Sequence, residues 1–187
     1  IRLEQKRIRK IEIAMRDFKE STIETHYNVT IKSVPGCKIL SLRKTVADYY
    51  CEGRLWEQLY AFVREEQIRL SPGTNNLAIY HNGGTTEDGV DIEVGVMVER
   101  EGADKGGFCY RETEAVEDMA CIMVYGPYEN IGLSYHAFAC WMEEHSQYEI
   151  AGPSRQICHI GSWDESDSQK FLTEVQTPVR RILTLTP

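Results

Sequence analysis

Long apolar runs are missing from this sequence. Nothing approaches the eighteen or more residues that a membrane helix needs, and the opening IRLEQKRIRK is the reverse of a secretory leader. A soluble, cytoplasmic chain without membrane contact is therefore expected. The six cysteines (Cys37, Cys51, Cys109, Cys121, Cys140 and Cys158) form no CxxC pair, and several sit in apolar words such as ACIMVY and FACWM. They read as reduced core residues rather than a disulfide or paired-cysteine site. There is no HExxH word, and His136 and His145 stand nine apart, off one helical face, so no metal site is expected. A phosphate-cradling glycine motif is also absent, since NGGTTEDG is a turn flanked by acids; no cofactor is implied. The first residue is not Met, from which we expect Ile1 to lie inside a longer protein.

What is present divides by charge. Residues 1–20 carry seven Lys/Arg against four Asp/Glu, a balance of +3, and taking this from the chain's −8 leaves −11 for the rest. An acidic body discourages nucleic-acid binding and favours cationic partners. Ile1, Ile8, Ile11, Met15 and Phe18 recur at seven, three, four and three along an otherwise charged stretch free of Gly and Pro. That is a short coiled-coil seam or an amphipathic helix packed on its own domain. Because an upstream part is expected, we read residues 1–22 as a linker and homodimerisation helix, and 23–187 as the body.

The body alternates strand and helix signals. YNVTIKSV and KILSLR are strands around the turn PGC, and RLWEQLYAFVREEQIRL has helical spacing at Leu55, Leu59, Phe62 and Val63. LAIYHN and VDIEVGVMVE follow as strands. The order then returns: MACIMVYG, the helix SYHAFACWMEEHSQ, then RQICHIGSW and FLTEVQTPV as strands. Landmarks repeat at a nearly constant offset, with Tyr49 to Tyr128 at 79 residues, His81 to His159 at 78 and Glu93 to Glu174 at 81. The expected fold is α+β: two βαββ units, about 27–100 and 108–180, related by a pseudo-twofold axis around a central ligand cleft and preceded by the linker helix.

Aromatic residues cluster where strands lead into helices: Tyr49, Tyr50, Trp56 and Tyr60 in the first half, Tyr128, Tyr135, Phe138 and Trp141 in the second. Each could fill the core, but a cleft would need some of them on its walls. Tyr49 and Tyr128 fall in loops, where a purely structural aromatic is less expected. Strand alternation would turn Glu174 and Gln176 to solvent and Thr173, Val175 and Thr177 the other way. Pointing inward, Glu174 would be an anion among aromatic faces, suited to a lipophilic cation or to activating a water. His81 and His159 occupy matching strand positions and read as structural. Cys158 and His159, being strand neighbours, point to opposite faces and do not make a nucleophile pair.

The duplicated order, the YGPYENIG segment from Tyr125 to Gly132 and the closing E-x-x-x-P of Glu174 to Pro178 together resemble the gyrase-inhibitor-like effector-binding domains. These lie at the C-terminus of MerR-type and AraC-type multidrug regulators, and the resemblance spans roughly residues 27–180. The helix of residues 1–20 resembles the coiled-coil linker of the MerR type, which implies a DNA-binding domain upstream that this chain lacks and contact with promoter DNA only through it. The resemblance further implies a sensor, not an enzyme, that binds lipophilic cationic small molecules. It places the family's central acid on Glu174, reversing the solvent-facing reading, with Tyr49, Tyr50, Trp56, Tyr60, Tyr128 and Trp163 as aromatic walls. Glu93, its repeat mate, would face solvent. Two other functions remain open by the same resemblance: a small-molecule hydrolase using Glu174 as general base, and a protein-binding, gyrase-inhibitor-like module.

Overall fold

The computed structural model describes residues 27–73, 76–81 and 89–182. The expected linker helix lies outside these residues. Among the described residues nine strands and two long helices follow one another: β1 (Thr30–Val34), β2 (Lys38–Val46), α1 (Glu52–Glu65), β3 (Asn76–Tyr80), β4 (Val90–Met97), β5 (Phe108–Glu112), β6 (Val116–Tyr125), α2 (Ile131–Glu144), β7 (Tyr148–Ile150), β8 (Ser154–Ile160) and β9 (Leu172–Arg181). All strand pairs are antiparallel and make one sheet in the order β1-β6-β9-β8-β3-β4-β2-β5, with β7 added beside β9. β3 and β8 meet at its centre. The protein is thus a mixed α+β fold built on a large antiparallel sheet.

The order of strands reads alike from either edge. β2, β4 and β3 on one side of the centre correspond to β6, β9 and β8 on the other, and each group is joined by a helix. At the two edges β1 pairs with β6, and β5 pairs with β2. β5 escapes a reading for half-buried strands because it is five residues long and its core-facing aromatics, Phe108 and Tyr110, follow directly on Gly106-Gly107.

Period-two alternation decides which residues meet the helices. Val90, Ile92, Val94 and Val96 of β4 and Leu40 and Leu42 of β2 pack with Leu55 and Leu59 of α1. Ala120, Ile122 and Val124 of β6 and Val175 and Val179 of β9 pack with Phe138 of α2. This is the helix face. The intervening residues of the same strands look the other way, where Ile39, Leu77, Ile79 and Ile157 form a smaller apolar cluster with Cys37 and Met97. On that reverse face the β1–β2 turn is pinned to the β5–β6 connection: Thr113 N–H donates to the Cys37 carbonyl at 2.9 Å, and Cys37 N–H donates to Thr113 Oγ1 at 3.0 Å. A Cβ on Gly36 would stand 2.5 Å from the Thr113 carbonyl oxygen. Because that neighbour is backbone, Gly36→Ala is expected to cost about 1–3 kcal/mol, read as a lower urea midpoint at unchanged slope.

The cysteines only partly match the core expectation. All six are free thiols; Cys121 is buried, whereas Cys109 and Cys140 are exposed on strand β5 and helix α2.

Candidate functional site

The two helices stand on opposite flanks of the helix face, α1 over β2 and β4 and α2 over β6 and β9. β8 runs between them, and its helix-face residues Ser154, Gln156 and Cys158 are half-buried instead of buried. The strip between the helices is therefore open, and aromatic side chains from both halves border it.

Two matching turns set the rims. After β2, Asp48 caps a short 3-10 turn, Tyr49–Cys51, by accepting the Cys51 N–H at 3.2 Å. After β6, Gly126 (φ 88°) reverses the chain, Pro127 opens the turn Tyr128–Asn130, and Asn130 Nδ2 ties back to the Tyr125 carbonyl at 2.8 Å. Only a glycine adopts that φ without strain. Tyr49 and Tyr128 are thus delivered to equivalent places at the starts of α1 and α2, each partly exposed. The Tyr49 ring lies 5.6 Å from that of Tyr80 on β3, and the Tyr128 ring 5.0 Å from that of Phe171.

A carboxylate sits within this aromatic strip, and it is Glu52. Trp56 Nε1 donates to Glu52 Oε1 at 2.8 Å, and Tyr80 Oη donates to Glu52 Oε2 at 2.7 Å. Glu52 and Trp56 are four apart on α1 and so share one helix face. Tyr80 is buried, and burial together with the Glu52 charge raises its phenol well above the ordinary value. It remains a donor at any physiological pH. Trp56 is followed by Tyr60 at 6.2 Å between rings, whose hydroxyl donates to Asn76 Oδ1 at 2.6 Å. From the α2 side Tyr135 reaches Ser154 Oγ and Gln156 Nε2, each at 3.2 Å. Tyr135 thereby approaches the side of the strip on which Tyr49 and Tyr80 lie, Ser154 being in register with Tyr80.

Beyond this, the Tyr128 hydroxyl lies 3.8 Å from Cys158 Sγ and accepts the Ser162 N–H at 3.4 Å. Burial, then Cys158, pushes the Tyr128 phenol up to about 12. Trp163 closes this end. A Cβ on Gly161 would meet the Trp163 ring at 2.6 Å and Cys158 Sγ at 2.8 Å, so only glycine lets the indole lie this close to the thiol.

Five of the expected wall residues, Tyr49, Trp56, Tyr60, Tyr128 and Trp163, are therefore on the helix face. Tyr50, the sixth, is 97% exposed and makes no ring contact among the described residues. Glu174 is also apart from the aromatics. Its strand neighbour Val175 packs on α2, so alternation turns Glu174 to the reverse face, where it is paired with Ile157 and Met123. It does not face solvent there, being 4% exposed. His159 Nε2 donates to Oε2 at 2.8 Å, Lys32 Nζ bonds Oε1 at 2.5 Å and Gln176 Nε2 donates to Oε1 at 3.0 Å. Burial alone would raise this carboxyl, but His159 and Lys32 outweigh it and hold Glu174 far below the usual carboxylate range.

Glu93 repeats the arrangement. Instead of facing solvent it is 2% exposed, bound by His81 Nε2 at 2.8 Å and by Arg111 Nε and Nη2 at 2.6 and 2.7 Å. Lys32 on β1 and Arg111 on β5, the strands at the two ends of the sheet order, play the same part.

Glu52, Tyr80, Tyr135 and Cys158 were not singled out from sequence as wall residues. The signal available was the four-residue spacing of Glu52 and Trp56 directly after the Tyr49 turn, which sets an acid and an indole on one helix face.

The sequence profile of the GyrI-like small molecule binding domain matches residues 27–180. The chain belongs to this family. Among solved structures, the GyrI-like domain is similar to the EcmrR C-terminal domain, with a TM-score of 0.71 and 23% identity over 83% of this chain and 99% of that one. The EcmrR chain in an EcmrR–DNA complex gives 0.77 and 24% over 97% and 70% respectively. SAV2435 bound to tetraphenylphosphonium gives 0.57 and 10% over 82% and 93%. A hydrolase from Listeria innocua gives 0.53 and 10% over 82% and 92%. No curated protein matches the sequence. No helix among the described residues is long and apolar enough to cross a membrane.

Proposed function

We propose that this GyrI-like domain is the ligand-sensing part of a cytoplasmic bacterial transcription regulator and takes lipophilic cations into the strip between α1 and α2. The observation that carries the reading is Glu52: a carboxylate held by Trp56 and Tyr80, with the Tyr49 ring packed beside Tyr80. Ring faces attract a delocalised cation, and the carboxylate supplies the opposite charge in a partly desolvated place. Tyr49, Trp56, Tyr60, Tyr128 and Trp163 form the walls in this reading, and Glu52 takes the part expected of Glu174. The solved complex of SAV2435 with tetraphenylphosphonium supports the class of ligand, and the EcmrR–DNA complex supports the regulatory setting.

The two halves, on this proposal, are copies of one unit whose leading strand is exchanged. Residues 1–22 link them to an upstream DNA-binding domain and to a second copy of the chain. A ligand then signals by preferring one arrangement of the halves and linker over another. Hydrolysis is disfavoured because Glu174, the residue it would need as base, has both oxygens engaged by hydrogen-bond donors and is held strongly acidic.

Titration calorimetry with tetraphenylphosphonium and with tetraphenylborate, equal in shape and opposite in charge, tests the reading. Saturable binding of the cation alone is expected. Equal binding of the two ions would show that shape, and not the carboxylate, selects the ligand.

A further inference from the structure

One pair of metal-ligating side chains lies away from the strip and from the buried carboxylates. His136 and Cys140 are four residues apart on α2, both are exposed, and Cys140 Sγ stands 3.9 Å from His136 Nε2. A four-residue spacing sets two side chains one above the other on a helix. The sides of α2 already assigned are different ones: Phe138 packs in the core, and Tyr135 reaches β8. Comparing His136 with His145, nine residues on, misses this pair, because the second donor is a sulfur.

The separation suits chelation. With metal–sulfur and metal–nitrogen bonds of about 2.3 and 2.1 Å, two such donors stand roughly 3.6 Å apart around a tetrahedral ion. The observed 3.9 Å is close to this, and small rotations of two exposed side chains supply the difference without moving the helix. Thiolate sulfur and imidazole nitrogen together select a borderline ion of the zinc class over magnesium or calcium, which take oxygen donors. The charge setting agrees. The α2 sequence IGLSYHAFACWMEE holds no Lys or Arg, and Glu143 and Glu144 end its last turn. Among the described residues no third His, Cys, Asp or Glu completes a cluster, so water fills the remaining positions of the ion and the site is an exchangeable one.

We propose that His136 and Cys140 bind a zinc-class divalent ion as a two-point chelate on the exposed side of α2. Such a chelate closes only while the turn from 136 to 140 is helical, so the ion stabilises α2 by mass action. The binding is independent of which small molecule the strip takes.

Thermal unfolding with zinc or cadmium chloride against magnesium chloride at equal concentration, in a thiol-free reductant, tests this on the wild type, His136→Gln and Cys140→Ser. Both positions are exposed, so either variant is expected to fold as the wild type does. A saturable rise of a few degrees with zinc, reversed by EDTA and reduced to the magnesium level in each variant, is the expected result. Cobalt(II) reads the donors directly. The wild type should show a sulfur-to-cobalt charge-transfer band that disappears in Cys140→Ser and survives in Cys109→Ser, which removes the other exposed thiol. An equal zinc shift in wild type and variants, or a cobalt spectrum without the sulfur band, overturns the proposal and leaves a thiol–imidazole hydrogen bond as the whole of the contact. A band lost in Cys109→Ser instead places the ion on β5 and overturns it as well.

Discussion

Glu52→Gln is expected to weaken tetraphenylphosphonium binding by at least about tenfold, roughly 1.4 kcal/mol, while Glu174→Gln leaves it within about twofold. The substitution at Glu52 removes a charge but keeps an amide oxygen that can still accept from Trp56 or Tyr80, so the walls stay in place. Glu52 is half-buried on the first turn of α1, and its loss should shift the melting temperature little. Calorimetry on the two variants, with the urea midpoint as a control on folding, separates the faces of the sheet. If Glu174→Gln were the variant that lost binding, the cation would enter by the reverse face and displace Lys32, and the strip between the helices would not be the site. Trp56→Ala should reduce affinity for the cation and for any neutral aromatic ligand alike, since it removes area as well as ring charge. Glu52→Gln should affect only the cation.

How far these places could be read from the sequence depends on which physical signal each one leaves. The helix over residues 52–65 was visible because Leu55, Leu59, Phe62 and Val63 follow a 3.6-residue period, and the paired strands because YNVTIKSV and VDIEVGVMV alternate or run apolar. The offset between Tyr49 and Tyr128 was visible too, and both start matching turns. The side to which Glu174 points was not. Alternation along β9 shows only that Glu174 and Val175 oppose each other, and both faces of this strand are buried, so polarity does not say which one meets a helix. The partners of Glu93 were hidden for another reason. Arg111 reaches it from β5, an edge strand paired with β2 far back in the chain, and no local pattern announces that pairing. Glu52 was overlooked because a helical acid beside a glycine ordinarily belongs to a solvated face; only the hydroxyl of Tyr80, arriving from a strand 28 residues on, makes it part of a site.

Glu93→Ala and Glu174→Ala should each destabilise the protein by about 2–4 kcal/mol, because either change leaves a partly buried histidine and a lysine or arginine without their acceptor. The figure is set below that of a fully enclosed pair, since Lys32 and Arg111 keep part of their side chains in water. Urea unfolding at neutral pH measures the loss, and a value under about 1 kcal/mol would show that these clusters behave as surface pairs. The same carboxyls govern the acid limb. Burial opposes ionisation of both, but the bonds from His81 and Arg111 to Glu93, and from His159 and Lys32 to Glu174, hold each pKa below its value in the unfolded chain. Groups of this sign contribute stability that is fully present above the unfolded pKa of roughly 4.5 and is lost as pH falls toward the folded one. Wild-type stability should therefore decline steadily below about pH 5. Glu93→Gln and Glu174→Gln should start lower at pH 7 and fall less steeply, the wild-type and variant curves converging toward pH 3. Parallel curves would mean that neither carboxyl carries the acid response, and that the charge pairs which join the edge strands β1 and β5 to the sheet add little to its stability.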